Sequence, residues 1–340
     1  MLESVAFALL GTLCVGSISV WIKFFRNQKE GVVALPVRLR EPKPIGLLDV
    51  MVMFSGWIFA QLAASGIALA LMEFEAKQVV SLAASGIAIA VSGLEAQQMS
   101  DASAGQRWLL VALVGIAQLL ITLACMAVFR LRYQSSRLFG AWGTLGKDIR
   151  IGLLAFIFLV PPLLILQAGL THFVDYEHGT LNSLKNANSV KPFFSAWFTA
   201  VLVAPFIEEV FFRGLIQSWL QRLGNTNPED FGKLMIGGWF SSDPPLSGKT
   251  RPIETVPNSD GNVYFDSELR WLPIFISAGL FAAAHAGQGA APIPLFFLGV
   301  GLGYLFRQTG SIVPCIVVHF LLNFYSMFWA TMYVIFSQGA

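Results

Sequence analysis

Long apolar runs alternate with polar segments along the chain, and this pattern predicts helices that cross a membrane. A transmembrane helix needs about 20 mostly apolar residues to cross the ~30 Å hydrocarbon core. The runs of suitable length lie near residues 4–22, 48–72, 108–129, 151–171, 193–214, 271–288, 291–306 and 312–336. The pattern therefore predicts an all-α fold, a polytopic transmembrane helical bundle of about eight spans.

Composition supports an integral membrane protein. The chain has 340 residues, of which 55% are hydrophobic and 12% are charged, whereas soluble domains carry about 25% charged residues. The net charge of +2 is too small to indicate a nucleic acid partner. The lipid bilayer is the partner that this composition predicts.

Basic residues predict the orientation of the chain in the membrane. Lys and Arg concentrate in residues 23–47, 130–150 and 221–270, and cytoplasmic loops carry an excess of these residues. The three segments lie on one side only if the shorter apolar run 79–94 does not cross. We therefore expect eight spans, both termini outside, and these three segments in the cytoplasm, while a crossing at 79–94 stays open.

The segment 221–270 interrupts the apolar pattern. It is rich in Pro, Ser, Asp and Gly, so it cannot be helical throughout. Within it, TVPNSDGNVYF (255–265) places the turn-forming pair Asp260-Gly261 between β-formers, which predicts a small hairpin. Residues 1–150, with the first three spans, form an N-terminal membrane region of unknown role in this scheme. Residues 151–340 form the second region.

Charged and polar side chains interrupt three of the late apolar runs. The stretch IEEVFFRG carries Glu208, Glu209 and Arg213, FAAAH ends at His285, and HFLLN begins at His319. A charged side chain at the centre of a bilayer costs about 2.5–3.5 kcal/mol on insertion scales. We therefore expect these groups to pair with one another or to converge on an interior cavity.

Helical spacing divides the polar groups further. Glu209 and Arg213 are four residues apart, so they share a helix face and can form an ion pair, and Glu208 points about 100° away on a 3.6-residue helix. His319 and Asn323 are also four apart. Three helices can thus bring Glu208, Glu209, His285, His319 and Asn323 around one cavity, although a structural ion pair and interhelical hydrogen bonds would equally satisfy the same residues.

This set of side chains suits hydrolysis of an acyl bond in three ways. A carboxylate near a histidine can activate water as a general base. A carboxylate, two histidines and an amide oxygen can hold a divalent metal such as zinc, with Glu209, His285, His319 and Asn323 as the ligand set. His319 and Asn323 can instead donate hydrogen bonds to an oxyanion. The residues alone leave these alternatives open.

The three motifs, in this order and on late apolar segments, resemble the signature of the type II CAAX prenyl endopeptidase family. Its bacterial members are the CPBP, or Abi, intramembrane proteases. The resemblance covers roughly residues 193–326, and it implies a helical intramembrane protease within residues 151–340. The longer segment between the first two motifs, at 221–270, departs from the family pattern.

The resemblance also implies roles for the individual residues. It makes Glu208 the base that activates water, with His285 assisting, and Glu209 with Arg213 the support of the first motif. His319 and Asn323 become oxyanion donors or metal ligands. The substrate implied is a peptide or protein, membrane-bound or lipidated, and the location is the bacterial inner membrane with a site open to the cytoplasm.

Two other classes of function fit the same residues. A scaffold or bacteriocin-immunity protein can retain the motifs and bind a partner without cleaving it. A proton-coupled transporter can use buried carboxylates, although no broken helix in an inverted half matches the late cluster of charges. Peptide cleavage by the purified protein distinguishes the enzyme from both.

Overall fold

The computed structural model describes residues 2–29, 35, 45–71, 104–133, 142–173, 194–195, 197–223, 235, 255–257, 263–265 and 271–338. Its long elements are helices, as predicted for an all-α bundle. Seven of them are α1 (Leu2–Lys29), α2 (Leu47–Leu71), α3 (Ala104–Arg132), α4 (Leu145–Leu170), α6 (Leu272–Ala283), α7 (Pro292–Thr309) and α8 (Val313–Gln338). Each overlaps one predicted span.

The remaining helix, α5, carries the first motif and is not a regular α-helix. It is π-helical over Phe198–Val203, α-helical over Ala204–Glu209, π-helical over Val210–Gln217 and α-helical over Ser218–Leu223. A short 3₁₀ turn, Trp142–Thr144, precedes α4. Helix α5 ends later than the predicted span 193–214.

Four helices within the described ranges are long and apolar enough to cross a membrane. They are Leu47–Ile67, Val111–Arg132, Leu145–Leu170 and Val313–Met332. Helix α6 is apolar but has only 12 residues, or about 18 Å at 1.5 Å per residue. The predicted span 271–288 is therefore wrong in its length, because the chain turns at Gly287 and Gly289, which have positive φ values of 96° and 59°.

The predicted hairpin is present. Strand β1 (Thr255–Pro257) pairs antiparallel with β2 (Val263–Phe265), and Val256 lies opposite Tyr264. The predicted turn pair, Asp260-Gly261, lies outside the described residues. Segment 79–94 lies outside the described residues, as does most of the remaining segment 221–270.

One hydrophobic core joins helices from both predicted regions. It includes Met53 of α2, Phe129 of α3, Phe211 of α5, Leu302 of α7 and Cys315 of α8. The core therefore runs across residue 150, where the sequence suggested a boundary. The division into two regions stays a prediction about function.

The glycine-rich run GVGLG (299–303) in α7 allows close helix packing. A Cβ atom on Gly303 would lie 2.8 Å from Ile274 Cγ2 of α6. A Cβ atom on Gly301 would lie 2.8 Å from Leu159 Cδ1 of α4. Helices α6 and α4 thus pack closely against alternate glycines of α7. Helix α7 holds α6 against the centre of the bundle.

Gly299 provides a test of this packing. A Cβ atom there would lie 2.9 Å from the Cβ atom and 3.0 Å from the Cα atom of Ala278, so Gly299→Ala must move a backbone. We expect it to lower the free energy of unfolding by about 1–3 kcal/mol through overpacking. Gly279→Ala is the matched control, because nothing lies within 4 Å of a Cβ atom there. Equal thermal unfolding midpoints for the two variants would contradict this packing.

Candidate active site

The polar site begins with an irregular turn of α5. Pro205 has no N–H group, and in the π register its missing donor would have bonded the carbonyl of Ala200, just as Ala204 N–H bonds Thr199 O. The Asn323 side chain replaces it, since its Nδ2 donates to Ala200 O at 2.8 Å. Asn323 thereby stabilises the π-helical turn that precedes the two glutamates.

The second π-helical turn of α5 follows the glutamates directly and is also held by side chains. Ser277 Oγ of α6 donates to Phe212 O at 2.9 Å, and Ser218 Oγ donates to Arg213 O at 3.2 Å. π-Helical turns are rare and occur frequently at functional sites. Here they flank both sides of Glu208 and Glu209.

Glu209 and Arg213 form the ion pair that their spacing predicted. Arg213 Nη1 donates to Glu209 Oε1 at 3.1 Å, and both side chains are completely buried. The Arg213 Nη2 atom donates to Gly299 O at 3.4 Å, and the guanidinium carbon lies 4.7 Å from the centre of the Phe281 ring. The pair is thus enclosed by α6 and α7.

His319 lies between the two glutamates. Its Nδ1 is 2.9 Å from Glu209 Oε1, and its Nε2 is 3.7 Å from Glu208 Oε2. The Oε1 atom of Glu209 also accepts from Arg213 Nη1 at 3.1 Å, and a carboxylate oxygen accepts hydrogen bonds, so Nδ1 of His319 is the donor in its contact with Glu209. The Nε2 atom of the same ring is therefore the one directed at Glu208.

Glu208 differs from Glu209 in exposure and in partners. Its side chain is 24% exposed, whereas that of Glu209 is fully buried. The Oε2 atom of Glu208 is itself buried and makes no hydrogen bond within the described part of the chain. Glu208 is therefore the carboxylate that is both reachable from outside the core and not engaged by the arginine.

The Phe281 ring contacts both His285 and His319. The ring centres of His285 and His319 lie 5.0 and 5.6 Å from that of Phe281, both in edge-on geometry. His285 Nδ1 donates to Phe281 O at 2.9 Å, which leaves Nε2 with the lone pair in the neutral ring. His285 lies in the turn after α6 and not on a helix, which corrects the sequence-based expectation.

Three sequence-predicted residues, Glu209, Arg213 and His319, are joined by direct contacts, and Glu208 lies beside His319. His285 joins them through Phe281, and Asn323 contacts the backbone of α5. Sequence reasoning missed Ser277, whose hydroxyl is an ordinary feature of an apolar helix. Phe281 is the first residue of the FAAAH motif, and an aromatic ring four residues before a histidine on a helix indicates a contact between the two rings.

The predicted metal ligands do not form a cluster. The described residues contain no group of three or more His, Cys, Asp or Glu side chains placed to hold a metal ion. The Oε1 atom of Glu209 is already shared by Arg213 and His319, and the amide nitrogen of Asn323 bonds Ala200 O. Metal binding by this donor set stays a prediction, and the chemistry below is derived from the side chains alone.

Helices that pack around a buried carboxylate–arginine–histidine cluster define an integral membrane protein with a polar interior site. Residues 190–242 and 262–325 match the family model described as type II CAAX prenyl endopeptidase Rce1-like. The match to this protease family covers about a third of the chain and includes all six candidate site residues. No curated protein and no solved structure matches the chain.

Proposed function

We propose that the protein is a membrane-embedded endopeptidase that hydrolyses a peptide bond with water activated by Glu208. The observation that carries this proposal is the contrast between the two adjacent carboxylates. Glu209 is fully buried and its Oε1 is bonded to Arg213 and His319, whereas the Glu208 side chain is 24% exposed and is not paired with Arg213; the Oε2 atom of each carboxylate lacks a hydrogen bond in the described structure. A general base requires an accessible, unengaged carboxylate.

In the proposed reaction, Glu208 takes a proton from water as the water oxygen attacks the carbonyl carbon of the substrate. The carbonyl oxygen becomes an oxyanion, and Glu208 then passes its proton to the departing amide nitrogen. The C–N bond breaks, and a carboxylate and an amine are released. His285 is placed to orient the water, because its Nε2 lone pair can accept a hydrogen bond.

Oxyanion stabilisation is assigned to His319 and Asn323. When His319 is protonated, its Nε2 donates, and its Nδ1 remains bonded to Glu209 at 2.9 Å. Asn323 has a second amide hydrogen besides the one bonded to Ala200 O. Donors fixed before the reaction stabilise developing charge without reorganisation, and the Glu209–Arg213 pair supplies that fixation.

The experiment that tests the proposal compares protein termini in membranes that contain wild-type protein or the Glu208→Gln variant. Peptidase activity predicts new termini in the wild-type membranes only, and these identify the substrate and its cleavage position together. The same set of termini in both samples would favour a scaffold or immunity protein. Proton-dependent flux of a solute in vesicles without new termini would favour a transporter.

We propose the inner membrane of a bacterium as the location, with the site open to the cytoplasm and a membrane-bound or lipidated peptide or protein as substrate. The concentration of basic residues supports this orientation. Ser247→Cys should then escape an impermeant thiol reagent in intact cells and react after permeabilisation. The chain with its native cysteines is the control, and efficient labelling of Ser247→Cys in intact cells would reverse the orientation.

A chelator should leave the cleavage rate of purified protein unchanged, because the described donors do not form a metal cluster. The measurement is turnover before and after chelation, with the metal content of the same samples determined by mass spectrometry. Loss of turnover together with loss of bound zinc, followed by recovery on adding zinc, would contradict the metal-free reaction.

A further inference from the structure

Helix α2 lies outside the family match but packs directly on the catalytic turn of α5. The ring centre of Trp57 is 4.6 Å from that of Phe211, and the ring centre of Phe54 is 6.0 Å from it. Phe211 follows Glu208 by three residues and precedes Arg213 by two. A movement of the Phe211 ring therefore moves the turn that holds the proposed base.

The segment that leads into α2 also holds the cytoplasmic end of α5. Arg222 Nη1 donates to Ile45 O at 3.2 Å, and both residues are buried. Asp49 Oδ2 fixes this segment by accepting from Gly46 N at 2.7 Å and from Tyr133 Oη of the α3 end at 2.6 Å. The N-terminal region thus supports α5 at two separate places.

The contacts Trp57–Phe211 and Ile45–Arg222 indicate that α2 and α5 run antiparallel. Phe211 and Arg222 are 11 residues apart on α5, and Trp57 and Ile45 are 12 residues apart along α2 and its lead-in. These spacings correspond to about 16–18 Å along a helix. The α2 segment therefore runs beside the π-helical turn Val210–Gln217, with one contact near the start of the turn and one beyond its end.

Trp57 is also held by α3. Its Nε1 donates to Thr122 Oγ1 at 2.8 Å, and Thr122 Oγ1 donates to Gln118 O at 2.7 Å within α3. A tryptophan whose N–H group is bonded keeps one ring orientation. Helix α3 therefore determines how the Trp57 ring meets Phe211.

Aromatic contacts continue from Phe211 to the histidines. Phe212 packs edge-on against Phe211 and against Phe281, at 5.3 Å in each case. Phe281 in turn contacts His285 and His319. Every contact in this series is between rings within 6 Å, so a cavity at Trp57 changes the packing of the rings that position both histidines.

We propose that Trp57 is a positioning residue for the Glu208–Glu209 turn, and that α2 and α3 are a working part of the catalytic unit. This inference rests on the proposed peptidase function. It gives the N-terminal membrane region a role that the family match does not assign. Trp57 acts through Phe211 and does not touch the reacting atoms.

The kinetic test compares Trp57→Leu with Trp21→Leu. Trp21 is the matched control, because it also stacks on a phenylalanine, Phe158 at 3.9 Å, and donates from Nε1 to Phe158 O at 3.1 Å, but it joins α1 to α4. We expect Trp57→Leu to lower kcat by about 10- to 100-fold with KM unchanged, the scale of a small misplacement of reacting groups. Trp57→Phe keeps an aromatic ring but loses the N–H group, so it should lose less kcat than Trp57→Leu, and Trp21→Leu should leave kcat unchanged.

A second readout does not depend on cleavage. The chain has four histidines, so labelling histidine alone with ¹⁵N gives few imidazole signals, which His285→Gln and His319→Gln assign. Trp57→Leu should shift the signals of His285 and His319 but not that of His172, which is exposed beyond the end of α4, and Trp21→Leu should shift none of them.

Unchanged His285 and His319 signals in Trp57→Leu, or equal losses of kcat in Trp57→Leu and Trp21→Leu, would overturn the positioning role. Absence of cleavage by the wild-type protein would instead refute the proposed function. In that case the histidine signals alone still decide whether Trp57 positions the site.

Discussion

Glu208→Gln should abolish cleavage while leaving the fold almost unchanged. The glutamine side chain has nearly the same shape but cannot take a proton from water, and a general base contributes about 10²–10⁴-fold to a rate. The Oε2 atom of Glu208 has no hydrogen-bond partner in the described part of the chain, so little stability depends on its charge. The measurement is the cleavage rate and the thermal unfolding midpoint of the same purified variant.

Glu208→Asp is the matched control for this loss. It keeps a carboxylate but withdraws it by one methylene, so it should retain more activity than Glu208→Gln while remaining well below wild type. Rates near wild type for Glu208→Gln would eliminate Glu208 as the base.

Arg213→Ala and Glu209→Gln should each destabilise the fold as well as reduce cleavage. Both side chains are completely buried and bonded at 3.1 Å, and removal of one partner strands the other charge, at a cost of about 3–5 kcal/mol. Glu209→Gln also weakens the acceptor for His319 Nδ1. Loss of activity in these variants should therefore accompany a lower unfolding midpoint, unlike the loss in Glu208→Gln.

The double variant Glu209→Gln/Arg213→Met distinguishes a stranded charge from lost packing. It removes both charges and keeps side chains of similar length, so it should be more stable than Arg213→Ala alone, with a coupling energy that a double-mutant cycle reports. Cys125 and Cys315 are buried, so a thiol-reactive dye can follow unfolding. Strictly additive losses of stability would contradict a coupled pair.

Local spacing predicted a substantial part of the site. The four-residue separation of Glu209 and Arg213 predicted their ion pair. The different direction of Glu208 on the helix predicted that its carboxylate would lie outside this pair. These features depend on one helix and its 3.6-residue period, so they can be read from the sequence. The small hairpin around Asp260-Gly261 was predictable for the same reason, because its turn and strands are local.

Other features depend on contacts that no local pattern encodes. The π-helical turns of α5 depart from the 3.6-residue period, and Asn323 satisfies Ala200 O from a distant part of the chain. His285 lies beyond the end of α6 because Gly287 and Gly289 adopt positive φ values. The sequence showed these glycines but not that they would end a predicted span.

The sequence also did not show that the N-terminal helices support α5. Trp57 and Phe211 each look like ordinary apolar residues of membrane spans in the sequence, and only their contact at 4.6 Å shows that α2 packs on the turn that follows the two glutamates. The family match likewise begins at residue 190. Long-range packing, and not motif content, connects the two halves of the chain.

The most direct measurement of glutamate-activated hydrolysis is a single turnover of purified protein in H₂¹⁸O with a peptide that spans the cleavage position. Water activated by Glu208 places one ¹⁸O atom in the new C-terminal carboxylate and none in the Glu208 side chain. Mass spectrometry of the product and of the fragment containing Glu208 reads both. Label in Glu208 with an unlabelled product would show that Glu208 attacks the substrate itself, and no labelled terminus at all would show that the protein does not hydrolyse the peptide.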